Sequence, residues 1–164
     1  MEEHARLPYR LNCEGYFVDD NGNILAQDSG KGFLIFPGGG IEQGEDIEAG
    51  MVREAREETG VIPELPLRKL GIIRIKWGND WAKTDKQKER YAQFQGDEMH
   101  FFFAKIKGFG QSGEVDDAWK GEKLMSVDSA INLIEQARPF GEDIKEYREA
   151  QLKFLNIIKR DIKQ

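Results

Sequence analysis

The segment between residues 38 and 60 constrains the fold more strongly than any other part of the chain. Three consecutive glycines at 38–40 lead into residues 46–59, which are rich in Glu, Ala and Arg, and Gly60 follows directly. This composition favours a helix, and a glycine directly after it is typical of a helix C-terminus. Three apolar residues at four-residue spacing predict the stripe that anchors this helix to a sheet: Ile47, Met51 and Ala55.

Three carboxylates share one face of the predicted helix. Glu54, Glu57 and Glu58 lie three and four residues apart, within an arc of about 100°. Crowded carboxylates repel one another and shift toward protonation unless a hard cation such as Mg²⁺ or Mn²⁺ lies among them. Arg53 precedes Glu57 by one turn and can hold a carboxylate in a fixed orientation. The spacing therefore predicts a metal site with Arg53 as its orienting residue.

A helix rich in Glu and Arg is most often a solvated surface, but the joint spacing of these residues favours metal binding. The cysteine and histidine content excludes two other kinds of site. The single cysteine, Cys13, excludes an internal disulfide, and with only two histidines a structural Cys/His zinc site cannot form. A bound metal would therefore have to lie on carboxylates.

The chain has 164 residues, 39% of them hydrophobic and 33% charged, which predicts one packed domain over residues 1–164. No apolar stretch approaches the ~20 residues of a membrane helix, and the acidic N-terminus is unlike a signal peptide. We therefore expect a cytoplasmic protein that does not enter a membrane. The net charge of −6 disfavours nucleic acid as a partner.

The glycine loop and helix together resemble the Nudix box, G-x5-E-x7-R-E-U-x-E-E-x-G-U, where U is a bulky apolar residue. All seven fixed positions are filled, by Gly39, Glu45, Arg53, Glu54, Glu57, Glu58 and Gly60. If each residue type makes up about 7% of a sequence, all seven positions match by chance at a given starting residue with a probability of ~10⁻⁸. Ala55 is smaller than the usual aliphatic residue. Residues 33–45 and 125–130 also look like the family's segments before the box and near the C-terminus.

This resemblance implies both a fold and a reaction. The fold would be α/β of the α+β type, a mixed β-sheet sandwiched between helices. The protein would be a hydrolase acting on acid anhydrides in phosphorus-containing compounds. Such enzymes typically use Mg²⁺ or Mn²⁺ to cleave the diphosphate linkage of a nucleoside diphosphate joined to another group, with water attacking a phosphorus atom.

The resemblance also assigns metal ligands. Glu54 and Glu58 would bind the metal with the carbonyl group of Gly38. Glu57 would complete the acidic cluster and bind a further ion. Gly39 and Gly40 would let the backbone approach the metals and the pyrophosphate, where a Cβ would intrude.

A carboxylate outside the box often completes such sites, and Glu98, at the start of an aromatic strand, is our candidate. It would be a further metal ligand or the base that deprotonates water, with a glutamate of the box as the alternative base. His100 faces the same side, but we interpret it as a structural residue. Glu45 has a second interpretation, as a charge or cap at the start of the helix.

A polar loop is predicted over residues 78–96, between two strands. It combines positive charge with aromatic rings, which suits a lid that neutralises phosphate and stacks on a base or sugar. The alternative is a surface loop whose aromatics fold back on the core. The candidate substrate-binding side chains lie in the segment 76–94, and they are Lys76, Trp77, Trp81, Arg90 and Tyr91.

The substrate remains open at this stage. Trp77 stands where ADP-sugar enzymes of the family carry Pro and diadenosine polyphosphate enzymes carry Tyr, so neither marker is present. The compact length and the aromatics favour a nucleoside triphosphate, including an oxidised one, or a small nucleotide derivative. The alternatives are hydrolysis of ADP-sugars, dinucleoside polyphosphates or RNA caps, and a Nudix module that binds nucleotide without turnover.

The remaining elements follow from residue periodicity. Strands are predicted over residues 9–18, 23–27, 33–36, 61–77 and 98–106, with an extended segment at 122–125. Besides the box helix, helices are predicted over residues 127–136 and 142–162. A second loop is expected over residues 108–120. The last helix is interpreted as core or as the face of a homodimer.

Overall fold

The computed structural model describes residues 3–110, 119 and 123–163. Its strands are β1 (Tyr9–Val18), β2 (Asn23–Leu25), β3 (Gln27–Asp28), β4 (Leu34–Ile35), β5 (Gly38–Gly40), β6 (Val61–Pro63), β7 (Arg68–Lys76), β8 (Gly96–Phe109) and β9 (Leu124–Ser126). Its helices are α1 (Ile47–Thr59), α2 (Asp85–Gln93), α3 (Val127–Gln136) and α4 (Lys145–Ile162), after a 3₁₀ turn at His4–Arg6.

The main sheet is mixed and is built around β1. This strand runs parallel to β8 over its whole length and antiparallel to β2 and β5. β8 in turn pairs antiparallel with β6 and β7, and β9 pairs with β2. Strands β3 and β4 form a separate hairpin. β1 and β8 lie at the centre of the sheet, and their side chains point alternately to its two faces.

Alternate residues of β1 point into two hydrophobic cores. Cys13 and Phe17 pack with Met51 and Ala55 of α1 on one face of the sheet. On the other face, Tyr16 packs with residues of α3 and α4. The expected sheet between helices is therefore confirmed. Ala55 has no exposed surface, so its small side chain brings α1 close to the sheet.

A capping aspartate begins α1 and a glycine ends it. The side chain of Asp46 accepts a hydrogen bond from the backbone N–H of Ala49, 3.1 Å away, which is the usual N-cap contact. Gly60 ends the helix with φ 78°, a left-handed conformation that favours glycine. The helix predicted over residues 46–59 is thus confirmed, with Asp46 as its cap.

Several predicted boundaries require correction. The predicted loop at 78–96 contains the helix α2, which begins with a capping box between Thr84 and Gln87. The predicted strand at 61–77 is two strands, β6 and β7, separated by residues 64–67. β8 is longer than predicted at both ends. Most of the predicted loop at 108–120 lies outside the described residues.

Among the helices of the described part of the chain, none is both long enough and apolar enough to cross a membrane.

Candidate active site

The glycine strand β5 lies beside the polar start of β1. Gly38, Gly39 and Gly40 pair with Glu14, Cys13 and Asn12. A Cβ on Gly39 would lie 2.8 Å from the carboxyl carbon of Glu54, too close for a real contact. The absence of a side chain at position 39 therefore leaves room for the Glu54 carboxyl group.

Two carboxyl groups of α1 meet at this loop. The carboxyl group of Glu54 lies against Gly39, and Glu58 follows one helical turn later on the same face of α1. Glu58 accepts hydrogen bonds from the backbone N–H of Gly38, at 3.1 Å, and from the indole N–H of Trp119, at 3.0 Å. Burial raises the pKa of Glu54, and neighbouring Arg53 opposes that shift.

This donor set fits a hard divalent cation. Two neighbouring carboxyl groups repel one another when both are ionised, and a cation between them offsets that repulsion. Oxygen-only donors suit Mg²⁺ or Mn²⁺. Within residues 3–110, 119 and 123–163, no three His, Cys, Asp or Glu side chains form a metal-binding group by themselves. A cation here would therefore need further oxygen donors, such as the Gly38 carbonyl group.

Arg53 connects the helix to the loop before it. Its guanidinium forms two hydrogen bonds with Glu45, at 2.7 and 3.0 Å, and one each with Glu54 and Glu57, both at 3.2 Å. Nη2 also donates to the carbonyl oxygen of Gly40, at 3.4 Å. Glu45 thus binds Arg53 and does not cap the helix. Hydrogen bonding to Glu45 is the main reason that the pKa of Arg53 is raised.

Glu57 lies apart from the other two carboxyl groups. Its side chain is 61% exposed and reaches the cluster through Arg53. The structure therefore brings Glu54 and Glu58 together and connects Glu57 to Glu54 through the shared guanidinium.

Glu98 has partners on its own sheet. Its carboxylate contacts His100 Nε2 at 2.8 Å and accepts a hydrogen bond from Arg74 Nε at 2.9 Å. The hydrogen bond with His100 is the first cause of the lowered pKa of Glu98. Arg74 and His100 thus contact the two oxygens of the Glu98 carboxylate, and neither residue belongs to α1.

The predicted aromatic residues are engaged within the protein. Trp77 is only 5% exposed and stacks on Trp81, with ring centroids 3.7 Å apart. Its indole N–H donates to Asp97, 3.0 Å away. Tyr91 stacks on His4 at 3.8 Å. The ring of Trp77 is therefore covered and cannot stack on a base in this arrangement.

The two predicted cations of this region differ in exposure. Lys76 is exposed at the end of β7, whereas Arg90 of α2 is partly buried. Arg90 lies close enough to Arg10 and Asp97 to influence the pKa of both.

Sequence reasoning missed a polar network beside the loop. Arg10 Nη1 donates to Asn12 Oδ1 at 2.9 Å, and Asn12 Nδ2 donates to Asp97 Oδ1 at 2.5 Å. A signal was present, because polar residues alternate at positions 10, 12 and 14 of a predicted strand. Trp119, which contacts Glu58, was also missed, and nothing in its surrounding sequence indicates that contact.

Comparison with known proteins agrees with this arrangement. The NUDIX domain family matches residues 10–147. An RNA pyrophosphohydrolase of Roseobacter denitrificans is 27% identical over 151 residues, covering 87% of this chain and 91% of that protein. An ADP-ribose pyrophosphatase of Methanocaldococcus jannaschii is 40% identical over 55 residues, 32% of each chain.

A solved structure of a NUDIX hydrolase from Nitrosomonas europaea has the same fold. The TM-score is 0.56 at 18% identity, with 84% of each chain covered. The family match spans most of the chain and includes the glycine loop, the helix α1 and its paired carboxyl groups. The chain therefore belongs to the Nudix family.

Proposed function

We propose that this protein hydrolyses the diphosphate linkage of a nucleoside diphosphate joined to another group, with Mg²⁺ or Mn²⁺ as cofactor. The position of two carboxyl groups at the glycine strand carries the proposal: Glu54 lies against Gly39, and Glu58 accepts a hydrogen bond from the N–H of Gly38. The two carboxyl groups provide an oxygen-rich site beside a strand without side chains, which a pyrophosphate would approach.

Glu54, Glu58 and the carbonyl group of Gly38 would hold the cation, with Glu57 and Glu98 as further predicted ligands. When bound, such a cation neutralises the pyrophosphate and lowers the pKa of water. Arg53 holds Glu54 and Glu57 in fixed orientations through hydrogen bonds. The lack of side chains at Gly39 and Gly40 leaves room for Glu54 and Arg10, and the substrate's phosphates would approach the backbone between them.

The base that takes a proton from water is Glu98 or a glutamate of α1. The contacts of Glu98 favour a glutamate of α1 as the base. Hydrogen bonds from His100 and Arg74 stabilise the ionised form of Glu98 and lower its pKa, which makes it a weaker base.

A small nucleotide derivative is the proposed substrate class. Our candidates for contacts with it remain the exposed Lys76 and the partly buried Arg90, Trp81 and Tyr91. A second candidate is the release of pyrophosphate from RNA. It is favoured by the alignment with the RNA pyrophosphohydrolase of Roseobacter denitrificans over 91% of that protein.

A turnover screen tests both candidates. The panel contains nucleoside triphosphates, an oxidised nucleoside triphosphate, ADP-ribose, dinucleoside polyphosphates and a 5′-triphosphorylated oligoribonucleotide. Each is assayed for phosphate and pyrophosphate release with Mg²⁺ or Mn²⁺ and again after chelation. Activity that requires the cation supports the proposal. Nucleotide binding without turnover would instead indicate a binding module.

Glu58→Gln should lower kcat at least ~100-fold, because it removes one charge from the cation site while keeping the shape of the side chain. The variant should fold like the parent chain, as checked by its unfolding midpoint. Glu149→Gln is the matched control, since Glu149 pairs with Arg138 on the surface of α4. Full activity of Glu58→Gln, with unchanged cation affinity, would refute the assignment.

A further inference from the structure

Arg10 is a partly buried cation with unused hydrogen-bond donors. A guanidinium has five N–H donors. Among the residues that the structure describes, Asn12 is its only side-chain acceptor and no carboxylate forms a salt bridge with it. Arg53, on the other side of Gly40, is in contrast surrounded by carboxylates. Arg10 is therefore available to an anion from outside the protein.

The guanidinium of Arg10 lies against the glycine strand. Its Nη2 occupies the space where a side chain on Gly40 would begin, so residue 40 must be small for Arg10 to lie there. Glu54 is close enough to influence the pKa of Arg10. The unused donors of Arg10 thus lie at the edge of the proposed cation site.

The orientation of Arg10 is set by a chain of hydrogen bonds behind it. Asn12 is 7% exposed and donates through Nδ2 to Asp97, which directs its Oδ1 toward Arg10. Asp97 in turn accepts the indole N–H of Trp77. Because each partner is held by the next, the guanidinium is positioned before any ligand arrives.

Burial and the nearby cation Arg90 lower the pKa of Arg10 more than the neighbouring carboxylates of Asp97 and Glu54 raise it, so these carboxylates compensate its charge only in part. A bound anion would supply that compensation. The planar fork of a guanidinium matches the oxygens of a phosphate group. An acidic centre in a chain of net charge −6 also needs a local cation to accept a phosphate-bearing substrate.

We propose that Arg10 binds a phosphate group of the substrate at the glycine strand, and that Asn12, Asp97 and Trp77 position it. This inference rests on the proposed function. It assigns Trp77 a role through Asp97 and Arg10, in place of stacking on the substrate.

Binding experiments with phosphate probes test the role of Arg10. Inorganic pyrophosphate and α,β-methylene-ADP are titrated into wild type, Arg10→Gln and Arg10→Lys in the presence of Mg²⁺. Arg10→Gln should weaken both probes by about 10- to 100-fold, the range for a hydrogen bond to a charged group. Arg10→Lys should recover part of the loss. Arg160→Gln removes an equal charge from the exposed surface of α4 and should bind both probes like wild type.

Three outcomes would overturn the proposal. These are unchanged binding of both probes by Arg10→Gln, a loss confined to α,β-methylene-ADP, and an equal loss of affinity for Mg²⁺ or Mn²⁺ alone. The second would indicate contact with the nucleoside, and the third an effect on the acidic cluster. Failure of the proposed function is distinct, because the wild type would then turn over no member of the panel.

Variants of the positioning residues complete the test. Trp77→Phe keeps an aromatic side chain but removes the indole N–H that donates to Asp97. This variant should raise KM more than it lowers kcat. In the background of Arg10→Gln the same change should have little further effect on KM, because the two residues act as one unit. Additive losses in the double variant would show that Trp77 acts independently of Arg10. An unchanged KM in Trp77→Phe would likewise overturn its positioning role.

Discussion

The two arginines beside Gly40 have opposite environments. Arg53 is held by Glu45, Glu54 and Glu57 and contacts the carbonyl group of Gly40. Arg10 contacts Asn12 and retains unused donors. The same residue type therefore organises the acidic cluster in one case and, in our proposal, binds substrate in the other.

Arg53→Ala should weaken Mn²⁺ binding by about 10- to 100-fold, the range typical of residues that orient metal ligands. The carboxylates that it holds would lose their fixed orientation, and kcat should fall less than in Glu58→Gln. Calorimetric titration of Mn²⁺ measures the change. Arg53→Lys keeps the charge but not the forked geometry, so it should restore only part of the affinity. Wild-type Mn²⁺ affinity in Arg53→Ala would contradict the orienting role.

Contacts between residues close in sequence could be predicted, whereas those made by the sheet could not. Glu54 and Glu58 are one helical turn apart, so their meeting follows from helix geometry. Asn12 and Asp97 are 85 residues apart, and their contact depends on the register of two parallel strands. Trp77 could be identified as an aromatic near the site, but not as a donor to Asp97.

At the scale of elements, local signals predicted α1 well and failed for α2. α1 has an apolar stripe, a capping aspartate and a terminal glycine. α2 buries no residue, and Tyr91 and Ala92 are its only apolar residues, too few to form the apolar stripe by which helices are found in a sequence. Its capping box, formed by Thr84 and Gln87, was the remaining signal.

Gly60→Ala should lower the free energy of unfolding by about 1 kcal/mol or somewhat more, because a Cβ is disfavoured in the left-handed conformation. Urea unfolding measures the change. Gly78→Ala is the matched control: a Cβ there has open space and the backbone is not left-handed. The control should stay within about 0.5 kcal/mol of wild type. Equal stability of the two variants would contradict this account of the helix end.

At the scale of the whole molecule, one buried carboxyl group joins the sheet to α4. Glu14 of β1 accepts hydrogen bonds from Tyr16, at 2.7 Å, from Gln151, at 3.0 Å, and from Tyr147. Two of these donors belong to α4. Burial is the main reason that the pKa of Glu14 is raised above its ordinary value of 4.5, despite these hydrogen bonds.

This raised pKa predicts a pH dependence of stability. The folded protein holds the Glu14 proton more tightly than the unfolded chain. The contribution to stability is therefore complete below pH 4.5 and is lost as the pH rises through the folded pKa. Glu14→Gln cannot lose this proton, so its free energy of unfolding should fall less than that of wild type between pH 5 and 8. Parallel pH profiles from urea unfolding would contradict this prediction.

The central pairing of β1 with β8 has a consequence for how the protein is made. At a synthesis rate of 5–20 residues per second, the 85 residues between Asn12 and Asp97 take roughly 4 to 17 seconds to emerge. During that interval the glutamates of α1 can already be on a formed helix, while Tyr16 and Phe17 of β1 still lack β8 beside them. A ribosome-bound chain that has not reached β8 would therefore be inactive and would expose the apolar residues that a chaperone binds.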